Sequence, residues 1–397
     1  GSSTSGASNS GSSQSSSSIS VGDIEETVLV DQDDIKVTAK SLTITDWDEI
    51  SIDVLIENNT DKDLSFSVFD FYVNGYCFYG TLYQDVTAGK KANTSIYCWT
   101  YDLEDALITK IGAVSIAIQA YDSNTYDTYI VTEPVEIRST LYDQMDGATR
   151  DFGAVFWNAQ GVYISGTCFD YGIENFGITF YIENNTDQRL DIIADSFAIN
   201  GYSQPEYFGT TLLPGTKTVS QQRFGGSTFE QQQISVIGSY EFTITACDNF
   251  DWYSILFVSD PILVETENVA SMDGPDRSYG TKLIDNGDFY VSYELVDYVN
   301  EYGGRVAEAR LYVENNSSSD VTLCLDDLSV NGFMIYSWIS NSTLSAGTKA
   351  ICVIYLADTE LTDNGIESLE EVEFNLTAHD SESWSNLLMD EDLKLTN

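Results

Sequence analysis

The sequence predicts an all-β chain of three tandem antiparallel sandwiches behind a Ser/Gly-rich tether, and a threefold set of landmarks carries that prediction. Glu-Asn-Asn occurs at Glu57-Asn58-Asn59, Glu183-Asn184-Asn185 and Glu314-Asn315-Asn316. An Asn-Gly pair begins 17 residues after each Glu, at Asn74-Gly75, Asn200-Gly201 and Asn331-Gly332. An Ala-x-Asp closes each stretch 65, 65 and 66 residues on, at Asp122, Asp248 and Asp380. Repeats 126 and then 131 residues apart are far longer than a solenoid period, so each copy is large enough to bury a core of its own.

Within a repeat the strand signals come in a fixed order. Ile50 to Ile56 alternates and then turns wholly apolar, as a half or fully buried strand does. Glu57-Asn58-Asn59-Thr60-Asp61 breaks it with residues that tolerate left-handed backbone and cap turns with their own side chains. Leu64 to Val73 returns and ends in Asn74-Gly75, the strongest short hairpin signal. A second turn falls at Ala88-Gly89-Lys90, Pro214-Gly215-Thr216-Lys217 and Ala346-Gly347-Thr348-Lys349. One or two helical turns are expected at Asp102 to Leu107 and at Glu360 to Glu371, and a last hairpin pairs Val114 to Ala120 with Thr128 to Ile137. About seven short strands with turns every 8 to 12 residues fit an immunoglobulin-like sandwich. The expected organisation is a tether at 1–22 and sandwiches at 23–139, 140–266 and 267–397.

Composition narrows the function classes. Sixty-three acidic side chains against 17 basic ones give a net charge of −46, which repels phosphate backbones and anionic headgroups and argues against nucleic acid and direct membrane-surface binding. The same charge favours a soluble monomer. The six cysteines occupy unrelated places in the three repeats, so they read as buried free thiols, with a local Cys77–Cys98 bridge left open. Residues 1–20 are nearly all Ser and Gly and cannot fold; they form a leash with a reach of roughly 25 Å.

Strands ending in ENNT-D, returns ending in Asn-Gly, Ala/Pro-Gly-x-Lys turns and closing Ala-x-Asp hairpins resemble the immunoglobulin-like, telokin-like modules of uncharacterised Gram-positive surface lipoproteins. The resemblance spans residues 24 to 397 and rests on turn chemistry. It implies an extracellular, bacterial, cell-surface location through a lipid-bearing cysteine ahead of the tether, and it assigns no ligand.

Candidate chemistry is sparse. The lone histidine, His379, falls at a position held by Tyr121 and Cys247 in the other repeats, so no nucleophile and base site is expected around it. Glu57 with Asp122, Glu183 with Asp248 and Glu314 with Asp380 could be posed as acid and base for glycoside cleavage, but both members sit beside turns, where carboxylates accept backbone N–H groups; no catalytic residue is assigned. Asp122, Asp127, Asp248 and Asp251 offer hard oxygens for calcium, without the spacing of a dedicated loop, so the expectation is no cofactor, with calcium as the alternative. Tyr126, Trp252 and Trp384 each stand four residues after the closing Asp; a ring there either stacks on a sugar or packs over the sandwich end. Asn58, Asn184 and Asn315 match the glycosylation pattern, which the turn already explains.

The sequence therefore points to a non-enzymatic surface protein for adhesion or display, partnered by a host or cell-surface protein or glycan. The alternatives are carbohydrate capture by the hairpin rings and a calcium-stabilised structural spacer.

Overall fold

A computed structural model describes residues 19–170, 175–248 and 251–397, the side chains of Asp170 and of 251–253 excepted. The chain is all-β, 57% strand and 7% helix. It falls into two compact units. The first collects the chain up to Thr167 with Thr179–Asp187 and Leu212–Ser220; the second holds Gln188–Thr211, Gln221–Asn397 and the described part of Cys168–Ile178. The middle repeat thus contributes to both units.

In the first unit, Thr27–Gln32, Ile35–Ile44, Glu49–Asn58 and Lys90–Trp99 form an antiparallel sheet in that order. Alternation sets its inner face: Ile50, Ile52, Val54 and Ile56 are buried, while Asp53 between them is exposed. They share one core with Phe66, Val73, Val114, Ile116 and Ile118 from Leu64–Val73 and Ala113–Asp122 of the second sheet. The expected final strand is split into Thr128–Val131 and Val135–Arg138, because Pro134 cannot donate to the ladder. In the second unit, Phe289–Val299, Arg305–Asn315 and Lys349–Tyr355 lie in one sheet, and Val321–Val330, Glu371–Asp380 and Leu387–Thr396 in another. Val291, Leu311, Val313, Leu323, Leu376 and Leu395 belong to their common core.

Among the described residues α-helix is confined to Thr100–Asp105, Gly226–Gln231 and Asp358–Asp363, six residues each, with single 3-10 turns at Tyr142–Gln144 and Val269–Ser271. The middle one carried no legible signal, and the third starts two residues earlier than expected and stops well short of Glu371. None of the six cysteines is in a disulfide, Cys77 and Cys98 included; burial pushes the Cys98 thiol up to about 12.

The landmarks have separate physical jobs. Asn74, Asn200 and Asn331 and the glycines after them all have positive φ, 49° to 51° and 79° to 82°, the tight hairpin conformation that Asn-Gly adopts with least strain. The second residue of each Glu-Asn-Asn is fully buried. Asn58 Nδ2 donates to the carbonyls of Lys62 and Val86, each at 2.8 Å, and its Oδ1 accepts from the amide and hydroxyl of Thr60. Asn184 donates to Leu212 and Leu213 and accepts from Thr186; Asn315 donates to Ser319, Leu344 and Ser345 and accepts from Ser317. Each asparagine therefore stitches its own turn to a loop some 28 to 30 residues away, which also leaves its amide inaccessible to glycosylation.

Asn58→Ala and Asn315→Ala strand buried carbonyls and N–H groups, and each is expected to lower stability by about 1–3 kcal/mol. The check is the urea midpoint followed by tryptophan fluorescence: an unchanged midpoint would mean that water replaces the side chain.

Candidate functional site

One arrangement of side chains occurs twice among the described residues, once in each unit, where consecutive repeats meet. Its scaffold is the short strand after each Asn-Gly. Tyr76–Cys77 pairs in parallel with Lys217–Arg223, with Tyr76 opposite Lys217; Tyr202–Ser203 pairs in the same way with Lys349–Tyr355, with Tyr202 opposite Lys349. The Lys217 amide donates to Gly75 O and the Lys349 amide to Gly201 O, both at 3.0 Å.

Side chains repeat the match. Lys217 Nζ lies 4.2 Å from the centre of the Tyr76 ring and Lys349 Nζ 4.4 Å from that of Tyr202, cation–π contacts strengthened by desolvation. Both rings are fully buried. Their hydroxyls donate to the carbonyls of Ala148 and Pro275 in the connecting segments. Those segments approach so closely that a Cβ on Gly147 or Gly274 would stand 2.6 Å from the ring, and both glycines have positive φ. One residue earlier, Asp146 accepts from the amides of Thr109 and Lys110 and from the Thr109 hydroxyl; Asp273 does the same with Ser235 and Val236. The turn asparagines complete the tie, Asn74 donating to Asp146 O and Asn200 to Asp273 O, each at 3.0 Å.

The glutamate of Glu-Asn-Asn belongs to this joint. Arg150 Nη2 is 2.6 Å from Glu183 Oε2 and Arg277 Nη2 2.7 Å from Glu314 Oε2. Tyr181 and Tyr312, two residues before these glutamates, donate their hydroxyls to them. Each arginine also lies over a tyrosine, Tyr163 or Tyr290, 4.7 Å from the ring centre, and receives that tyrosine's hydroxyl on its own carbonyl. The expectation that the glutamate caps its turn is therefore corrected: the neighbouring asparagine fills that role, and the glutamate is an ion-pair partner. In the first repeat no such arginine is present, and Glu57 pairs with Lys91.

The signal for the joint was in the sequence. Met145-Asp146-Gly147-Ala148-Thr149-Arg150 and Met272-Asp273-Gly274-Pro275-Asp276-Arg277 share Met-Asp-Gly-x-x-Arg, and Asn-Gly-Tyr occurs at both donor hairpins.

The residues singled out from sequence have other surroundings. Tyr126 has φ +62° and is 84% exposed, so it does not pack over the sandwich end. Trp384 is also exposed and stacks on His379 at 4.7 Å and 6°, while His379 Nδ1 lies 2.9 Å from the Trp384 carbonyl. The side chains of Trp252 and Asp251 lie outside the described residues. Asp122 is buried; the amides of Asn124 and Thr125 and the Lys62 ammonium hold its carboxyl below the usual range. Asp127 serves through its carbonyl, which accepts the Asp122 amide, and Asp248 lies opposite Leu190 and Asp251 in its sheet. Asp380 accepts from the amides of Glu382 and Ser383. Among the described residues no three His, Cys, Asp or Glu side chains converge as a metal ion needs.

Burial works against ionisation of Glu183, Glu314, Asp146 and Asp273, yet hydrogen bonds bring all four below their ordinary values of 4.5 and 3.8, helped by Arg150 and Arg277 at the two glutamates. A carboxyl with a depressed folded pKa contributes stability that is complete above its unfolded value and lost as pH falls through the folded one. Burial lowers Lys217 and Lys349, so their cost is present at low and neutral pH and relieved only as pH rises past their folded values. The melting temperature is accordingly expected to fall as pH drops below about 4.5, and the double variant Arg150→Gln, Arg277→Gln to fall less steeply. Parallel profiles in scanning calorimetry would remove the two ion pairs as the source.

No family model and no curated protein sequence matches the chain. Among solved structures it is similar to a protein of unknown function from Porphyromonas gingivalis W83, with 9% identity over 60% of this chain and 100% of that one and a TM-score of 0.16. It is also similar to the exo-chitosanase CsxA of Amycolatopsis orientalis, 11% identical over 66% of this chain and 27% of the enzyme, TM-score 0.18. A third likeness is to a bacterial ice-binding adhesin studied for host cell surface retention, 11% identical over 88% and 90% of the two chains, TM-score 0.14. At these scores the likenesses carry no argument about fold or activity.

Proposed function

We propose that the chain is a non-enzymatic, extracellular protein of three immunoglobulin-like modules, tethered at its N-terminal side to a cell surface and used for adhesion or display. The observation that supports this reading is the doubled joint. Its tyrosine, lysine, arginine and two carboxylates are all spent on holding one repeat to the next, which serves a protein that must present a surface at a set position. Of the carboxylates that could have formed acid and base pairs, Glu57, Asp122, Glu183 and Glu314 are engaged by Lys91, Lys62, Arg150 and Arg277, and Asp380 by the amides of Glu382 and Ser383.

A carbohydrate-binding reading has one specific observation in its favour. On the first repeat Trp99 and Tyr101 are exposed and stacked, 5.7 Å and 22° apart, and Tyr97, two residues before Trp99 on the same strand, shares its face. Beside them Asp53 accepts the hydroxyls of Ser41 and Ser95. Rings of this kind, with a carboxylate alongside, suit the apolar and hydroxyl faces of a neutral or cationic sugar.

Binding of the full chain to arrays of glycans and of matrix proteins separates the readings. Saturable binding to proteins alone is expected for adhesion; glycan binding that Trp99→Ala abolishes without a change in melting temperature would replace it with carbohydrate capture. Turnover of any glycan would sink both. Joint function has its own check: Tyr76→Ala and Tyr202→Ala are expected to open the segments at 140–153 and 266–281 to limited proteolysis, and the unaltered chain is expected to resist it under the same conditions.

A further inference from the structure

Each joint has two halves, and among the described residues one copy of each is not joined to a neighbouring repeat. The donor half is the short strand after Asn-Gly. In the third repeat this is Phe333–Met334, which pairs only with Val321–Val330 and is the edge of its sheet. Phe333 is 46% exposed and Met334 66%, whereas Tyr76 and Tyr202 at the place of Phe333 are 0% exposed. The acceptor half is the strand after Gly-x-Lys. In the first repeat it is Lys90–Trp99, led by Gly89-Lys90-Lys91; it too is the last strand of its sheet, its outer edge bridged at Tyr97 by Thr81 and, among the described residues, carrying no strand beside Lys91.

We propose that the two free halves dock on each other between copies of this chain, the Phe333–Met334 edge of one molecule pairing in parallel with the Lys90–Trp99 edge of the next. The interface is the one the chain already builds twice, with Lys91 taking the position of Lys217 and Lys349 over the ring of Phe333. What each half lacks corresponds. Phe333 has no hydroxyl, and the first repeat has no Met-Asp-Gly-x-x-Arg segment ahead of it to accept one. Leu55 stands where Tyr181 and Tyr312 stand in the later repeats, so an apolar side chain replaces a hydroxyl on the face that receives Phe333; Met334 takes the place of Ser203, which faces Thr348, and so meets the aliphatic stem of Lys90. Lys91 is held by Glu57 in the isolated chain, and swinging over a ring costs it only an exposed ion pair, an interaction of little net value. The charge of −46 per chain opposes approach, so association strengthens as salt screens it, the reverse of an interface held by ion pairs. Crowding on a surface raises the effective concentration and acts in the same direction.

Sedimentation velocity of the full chain over a concentration series, at low salt and at about 0.5 M salt where screening is nearly complete, is expected to show a concentration-dependent shift to larger species that is greater at high salt. Met334→Glu, an exposed substitution that leaves folding intact, is expected to abolish the shift. Disulfide trapping fixes the geometry: in the joints the tyrosine and lysine are register partners, so Phe333→Cys mixed with Lys91→Cys is expected to give a cross-linked heterodimer that neither variant gives alone above the unaltered chain's background. A monomer under all conditions, or cross-linking of Phe333→Cys to itself, overturns the proposal.

Discussion

Backbone polar groups at the ends of strands have to find partners once the chain turns away from its sheet, and in this protein a buried asparagine answers that need at the same place in every repeat. Asn58, Asn184 and Asn315 each use both ends of the amide, accepting from the Thr or Ser two residues on and donating to carbonyls of a loop far along the chain. Aspartate would lose the donated bonds and bring a charge into a site with no exposure. With this clamp in place the first residue of Glu-Asn-Asn is relieved of turn duty, and its carboxylate is free to face the neighbouring repeat.

The joint follows from that freedom. An edge strand with unpaired N–H and C=O groups is an aggregation liability; here the two-residue strand after Asn-Gly covers the edge of the next repeat's sheet. One hairpin thus turns the chain, ends one sheet and shields another. Cation–π and ion-pair contacts then fix the pairing at sites where burial would otherwise penalise the charges. The lysines feel that penalty directly, since burial lowers them even beside a glutamate, and the compensation lies in the ring and in the backbone bond of the same residue.

Turn chemistry made the strands and hairpins legible, because Asn-Gly and Glu-Asn-Asn-Thr act within a few residues of themselves. Leu64–Val73 was readable to the residue. The break at Pro134 could have been read and was missed, while the Gly226–Gln231 helix had no pattern to find. The joint was missed for a different reason. Its long-range partners, Tyr76 with Ala148 and Lys217, are separated by 72 and 141 residues, beyond any periodicity. Met-Asp-Gly-x-x-Arg and Asn-Gly-Tyr occur twice in three repeats, which is the frequency a junction must have.

That frequency also explains why the outermost copies of the landmarks are the ones that differ. Leu55 in place of tyrosine, Lys91 bound to Glu57 in place of arginine, and Phe333 in place of tyrosine each fall on a half-joint that no neighbouring repeat fills within the chain. A tyrosine hydroxyl there would carry a hydrogen bond to nothing but water, so its removal costs the fold little. The apolar body of the ring has no such reason to remain. At Phe333 it remains, beside an exposed methionine, on an open strand edge of a chain whose charge otherwise keeps its surface wet; an edge meant to stay in water would be expected to carry polar or charged side chains.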